Sequence, residues 1–290
     1  MRYGTRRQSA LALLLVVGLL HVPGSEARDR PIRTIEPGKR KYLVYNVSLT
    51  SVFTLISARV QQHVLRPKDV ARDLLIGAAA GLSFYQAKRI TGIGRTTEGW
   101  LLANVTASAV ENTASGEHPM GRVGYTVGPF RLRFATPLAR KAIANIEADW
   151  SVAETAFMVE GRRKGDHFHI RHGLIAIDRD TPWPTKDVAG GFFGGLTNGV
   201  FPGLAPGQPS VTWSHEMVHA IQVQQLDSVE PSVHVFGSSD PSQPRRLFAF
   251  RNVRLGFIQM LNAPTFRRPY TERWGEVEAY GLAQRTPVYP

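Results

Sequence analysis

Cysteine is absent from the 290 residues. That excludes a disulfide framework, a thiolate zinc site and a lipidated cysteine. Acidic residues are few, 23 against 35 Lys and Arg, and the net charge is +12. A basic excess of this size suits nucleic acid, an anionic membrane or an acidic polymer. No run of like charge is long enough to form a sharp patch, so an arginine-rich solvated face is the blander reading. Internal repeats and low-complexity tracts are also missing. The hydrophobic fraction of 43% and charged fraction of 20% are ordinary for a globular chain, and the length allows one large domain or two small ones.

A hydrophobic run of membrane-spanning length is lacking at the N-terminus too. Arg2, Arg6 and Arg7 precede an apolar stretch from Ala10 to Leu20, and Pro23, Gly24, Ser25 and Ala27 follow. This is the layout of a signal peptide over residues 1–27, and the stretch is short of the roughly 17–25 residues of a span. The alternative is an uncleaved N-terminal anchor. Residues 1–27 carry three arginines and one glutamate, so the remainder keeps +10. Export to the periplasm or beyond sets nucleic acid aside as a partner. It leaves peripheral contact with an anionic envelope surface. Asn46 and Asn104 stand in glycosylation tripeptides, which are common by chance.

The remaining residues, 28–290, read as one α+β domain with a helical part over about 41–115 and a catalytic part over about 116–290. A domain boundary near 115 is the alternative. A helical stripe runs through Val52, Leu55, Ile56 and Val60, and a second helix opens at Pro67 and Asp69. Within it, Gly77 to Gly81 form a small-residue, close-packing motif, expected in a buried core helix. A third helix ends near Asn112. Alternation through Val123, Tyr125 and Val127, then Phe130, Leu132 and Phe134, with Gly128-Pro129 between, predicts a hairpin. Residues 139–163 are ambiguous between strand and helix, and residues 166–180 read as a strand. Residues 188–210, rich in glycine and proline, read as a long loop, either a lid or a surface connector. After the central motif, Leu247, Phe250, Phe257 and Leu261 suggest a helix. A last helix is expected from Thr271. Strands therefore precede the motif and helices follow it.

That motif is "HEMVH", residues 215–219. Residues four apart share a helix face. His215 and His219 can thus offer two imidazoles to one zinc ion, and Glu216, one step round, can act on a water without ligating. Zinc lowers the pKa of such a water towards ~7. Glu216 would take its proton as a carbonyl is attacked and pass it to the leaving nitrogen. With nine histidines, a chance match is expected roughly 0.01 times in the chain. Ser210 would cap the helix, and Met217, Val218 and Ile221 would be buried. A catalytic zinc wants three protein ligands. No third histidine follows at the usual spacing, because residue 225 is a glutamine. Glu276 and Glu278 in "WGEVEAY" are the available acids.

The pairing of "HEMVHAIQ" with "GEVEAY" resembles the gluzincin class of zinc metallopeptidases, over roughly residues 205–285. The resemblance implies a zincin-like fold, with strands and a glycine-rich loop before an active-site helix and a helical C-terminal part. It implies one zinc ion, peptide-bond hydrolysis and a third ligand from a later helix in an E-x-x-A setting, here Glu276 with Ala279. Glu278 would then lie in the outer shell. The resemblance to bacterial zincins with H-E-x-x-H-x-x-Q places Gln222 on the same helix face. Tyr280 departs from the acid that many relatives have there.

Four further groups carry candidate roles. His234, Tyr270 and Tyr280 are candidate oxyanion donors. His167 and His169 share one strand face, as a second metal site or a solvated polar edge. A polypeptide substrate would dock by adding to the strand before the active-site helix. Two other function classes compete with the peptidase: a non-catalytic zinc-binding envelope protein, and a membrane-associated scaffold built on residues 46–112.

Overall fold

A computed structural model describes residues 40–62, 66–139, 144–171, 173–178, 183–184, 192–193, 195–198, 201–204, 210–228, 233–234, 246–254 and 274–283. The segment read as a signal peptide lies outside them. The fold is α+β, a mix of helices and small, mainly antiparallel sheets.

Three helices come first: α1 (Arg40–Gln62), α2 (Pro67–Gly92) and α3 (Thr96–Ala114). Helix α2 starts on Pro67, whose missing N–H costs nothing in a first turn. The small-residue motif explains its packing. A Cβ on Gly77 would stand 2.6 Å from Ser51 Cα, and one on Gly81 2.6 Å from Val47 Cα. Backbone therefore meets backbone, and α1 and α2 lie antiparallel. A buried core helix is what the motif predicts, and Ala80, Phe84 and Ala87 are buried.

The hairpin follows as β1 (Arg122–Val127) and β2 (Phe130–Ala135), turning at Gly128 with φ +56°. The ambiguous stretch contains both structures. Strand β3 (Ala144–Ser151) runs straight into helix α4 (Val152–Arg163), with the Ser151 hydroxyl accepting from the Glu154 N–H as the cap. The run 166–180 holds two antiparallel strands, β4 (His167–Arg171) and β5 (Leu174–Asp178), not one. Gly173, with φ +79°, sits between them.

Two expectations fail. The glycine-rich stretch contains strands: β7 (Phe192–Phe193), which pairs with β6 (Trp183–Pro184), then β8 (Gly195–Asn198) and β9 (Phe201–Leu204). Strands β8 and β9 pair antiparallel, with Asn198 opposite Phe201, a hairpin that the glycine content hides in the sequence. After the central helix α5 (Ser210–Asp227) come β10 (Val233–His234) and β11 (Arg246–Arg254), so strands also follow the motif. Leu247 and Phe250 are three apart, which suits a helix. Phe248 and Phe250 are two apart, which suits a strand, and parallel pairing with β3 decides it. Residues 255–262 lie outside the description. The last helix, α6, spans Trp274–Leu282.

The sheets order as β1-β2-β3-β11-β10 and β4-β5-β9-β8, each with one parallel pair, β3 with β11 and β5 with β9. The largest apolar cluster joins Phe84, Trp100, Ile177, Trp213, Met217 and Ile221. It draws on residues from both sides of position 115. A second cluster sets Val218 against Tyr42, Tyr85, Ala279 and Leu282. Helix α5 lies between the two clusters, and burial of each large apolar side chain contributes about 1.5–3 kcal/mol.

Two buried polar clusters flank α5. On the sheet side, Arg131 donates to Glu111, Thr126 and Ser108, while Arg133 pairs with Asp149. Gln224 reaches this cluster through Asn104 Oδ1 at 2.7 Å. The other cluster lies towards α1, α2 and α6.

Candidate metal centre

Residues 212–218 of α5 are all buried. Trp213, Met217 and Ile221 face one apolar cluster and Val218 the other, which leaves the remaining face for polar groups. His215 is 1% exposed, Glu216 4%, and His219 is half-buried. The helix therefore brings all three motif residues to one place.

The two imidazoles meet edge to face, 83° between planes, with Nε2 atoms 3.1 Å apart. His219 Nδ1 lies 2.8 Å from Gln222 Oε1. The amide orientation follows from its other end, where Gln222 Nε2 donates to Glu278 Oε2 at 2.8 Å. Gln222 Oε1 is thus an acceptor, so His219 Nδ1 carries the proton. In a neutral ring, its Nε2 lone pair then points at His215. Two nitrogens bound to one tetrahedral zinc at about 2.0–2.1 Å stand roughly 3.3–3.4 Å apart. The observed separation fits a shared ion to within a few tenths of an ångström.

Behind Gln222 the chain of bonds continues. Glu278 Oε2 accepts from Lys88 Nζ at 3.0 Å, and Oε1 accepts from Asn46. Lys88 also donates to Asn46 Oδ1 at 2.7 Å and to Gln225 Oε1 at 2.8 Å. Its three protons thus have three acceptors, and the ion pair is 1% exposed on both sides. Burial pushes the Lys88 ammonium below the ordinary lysine value, against the pull of Glu278. The same carboxylate, after burial, helps push the Tyr45 hydroxyl up. The sequence His219–Gln222–Glu278–Lys88 runs from the imidazole pair through α6 to α2.

No protein-family model, curated protein or solved structure matches the chain.

The structure thus groups His215, Glu216, His219, Gln222 and Glu278. Glu276 and Tyr280 belong to α6 and His234 to β10, but their side chains, like all of Tyr270, lie outside the described residues. Among the described residues, no group of three or more His, Cys, Asp or Glu is arranged to hold a metal. His167 and His169 sit on β4 at a sheet edge, with His169 Nδ1 3.9 Å from Asp178 Oδ2. Ile170, on the strand face opposite the two histidines, is 77% exposed.

Sequence reasoning missed Lys88, Asn46 and Gln225. Lys88 had a signal: it stands seven residues after Gly81 and three or four after Tyr85 and Phe84, on the buried face of α2. Asn46 and Asn104 matched glycosylation tripeptides, yet both amides are buried and bonded, one in each polar cluster.

Proposed function

We propose that the chain is an exported zinc-dependent metallopeptidase of gluzincin type, with a zincin-like arrangement around α5. The observation that carries the reading is the pair of Nε2 atoms 3.1 Å apart, with His219 fixed in one tautomer by Gln222. His215 and His219 supply two ligands. Glu276 supplies the third, because Glu278 on the same helix is already engaged by Gln222, Asn46 and Lys88. A zinc ion held there would act as a Lewis acid on the scissile carbonyl and on the attacking water. Glu216 accepts the proton of that water and delivers it to the departing amine. Gln222 and Glu278 hold His219 in the tautomer whose Nε2 carries the lone pair a metal would use, the usual task of an outer shell.

Substrate would be an extended polypeptide. The strand directly before α5, β9, is flanked by β5 and β8 and offers no edge, so addition would fall instead on β8, which among the described strands has β9 as its one neighbour and which packs on α5.

The test compares wild type with Glu216→Gln on casein or a peptide library, with zinc measured in both. One zinc per chain in each, with cleavage lost at least a hundredfold in the variant, supports the reading. Zinc in both and cleavage in neither removes the peptidase. Absence of stoichiometric zinc removes the metal site itself. Replacing Glu276 by Ala should weaken zinc binding directly.

A further inference from the structure

Helix α1 is amphipathic in the reverse of the usual sense. Its buried face is largely polar, with Asn46, Thr50, Thr54 and Ser57 beside Tyr42 and Ala58, while Leu43 and Phe53 pack on the two apolar clusters. Its outward face is largely apolar, with Val44 62% exposed, Val52 52%, Ile56 49% and Val60 49%, interrupted by Ser48. A helix facing water places these classes the other way round. The adjacent face of α2 continues the pattern with Leu75, 72% exposed, and with Leu74, Ala79 and Leu82. A contiguous apolar surface of this kind marks an interaction site.

Charge shows what covers it. Helix α1 contains no acidic residue. Exposed Arg40 and Lys41 stand at one end of the apolar row and exposed Arg59 at the other. The antiparallel packing brings exposed Arg66 and Lys68 to the Arg59 end, where Arg72 is paired with Asp73 and Asp69 is half-buried. Apolar residues on α1 bracketed by cations, with no acid on that helix, suit an interfacial helix on anionic lipid.

We propose that the outward face of the α1–α2 hairpin docks on an anionic phospholipid bilayer. It docks rather than spans. By length and composition Arg40–Gln61 is apolar enough to cross a membrane. The exposed row from Val44 to Val60, however, covers only about 24 Å of helix, short of the ~30 Å hydrocarbon core. The opposite face holds the polar groups that bind Lys88 and Glu278 inside the protein. The proposal does not depend on the metal.

The absence of cysteine gives a direct test. Full-length chains carrying Ile56→Cys, Leu75→Cys or, as a control, Lys164→Cys just after α4 are each labelled with an environment-sensitive fluorophore. Each is then mixed with phosphatidylglycerol/phosphatidylcholine vesicles. Emission should shift to the blue at positions 56 and 75 and stay unchanged at 164. Adding Arg40→Gln, Lys41→Gln and Arg59→Gln should raise the anionic vesicle concentration needed by at least about tenfold. The proposal is overturned if the labels at 56 and 75 stay in water while the chain pellets with vesicles. A shift of equal size on phosphatidylcholine alone also overturns it. A blue emission without lipid overturns it too, assigning the face to a second copy if it grows with protein concentration and to another part of the same chain if it does not.

Discussion

The two polar clusters beside α5 look alike and do different work. On the sheet side, Arg131 and Arg133 are matched by Glu111 and Asp149, and the bonds close among α3, β1–β3 and Gln224 of α5. On the helix side, Lys88 is matched by Glu278, but the bonds do not close: they continue through Gln222 to His219. Both lie in the interior, where an unmatched charge is costly. The closed cluster fixes how α3 meets the sheet. The open one adds a path from α1, α2 and α6 to the imidazole pair. Comparable burial thus serves packing in one place and orients an imidazole in the other.

The sharpest break between them comes from removing one charge from each. Glu278→Leu leaves the Lys88 ammonium without its carboxylate and should cost about 3–5 kcal/mol in urea unfolding. It should also weaken zinc binding by about 10–100-fold in a chelator competition, because His219 loses its outer support. Arg131→Met should cost a similar ~3–5 kcal/mol and leave zinc affinity unchanged. Equal losses of zinc affinity in the two variants would erase the distinction.

A second comparison uses repair. Replacing Lys88 and Glu278 together by Met and Leu removes both charges, and stability should return to within about 1–2 kcal/mol of wild type. Zinc affinity should stay low, since Gln222 then has no carboxylate to orient it. Recovery of zinc affinity along with stability would mean that the cluster acts by packing alone.

A smaller effect is expected at Gln222. Gln222→Met keeps the volume and removes the acceptor for His219 Nδ1. The destabilisation should be about 1–3 kcal/mol. The loss of zinc affinity should approach that of Glu278→Leu, since both act through the same bond. An affinity equal to wild type would show that the 2.8 Å contact does not orient the ring.

The sequence made one of these clusters half readable. His215 and His219 follow from helical spacing, Gln222 came with the resemblance to H-E-x-x-H-x-x-Q zincins, and Glu278 was the second acid of a short, conspicuous segment. Their partners were harder to see. Lys88 looks like one of many basic residues until the small residues of α2 show which face is inside. Asn46 lies at a remote position on α1 and matched an unrelated tripeptide. The sheet-side cluster was less legible still: Phe130, Leu132 and Phe134 alternate with Arg131 and Arg133, which separates the two faces of β2 without showing which is covered. In fact Arg131 and Arg133 are buried and Phe130 and Phe134 exposed, at 41% and 43%. Alternation gives the period of a strand, not which face is covered. β11 failed for a related reason, because its apolar residues stand both three apart, at Leu247 and Phe250, and two apart, at Phe248 and Phe250, and the choice falls to the partner strand.

The finest distinction between the clusters is in pH. Burial lowers the Lys88 pKa in the folded protein below its unfolded value. Between the two values the unfolded chain binds more protons, so raising pH favours the folded state. Below the folded value lysine is charged in both states and the desolvation cost is present in full. It is relieved as pH rises through the folded value towards the ordinary 10.5. Wild type should therefore gain stability relative to Lys88→Met as pH rises through that window, with a slope below about 1.4 kcal/mol per pH unit for one proton. Comparison of urea midpoints of the two proteins over the alkaline range cancels the tyrosines common to both. Arginines remain charged throughout this range, so the same experiment on Arg131→Met should give no slope. A slope there as well would assign the pH dependence to the fold rather than to the buried lysine.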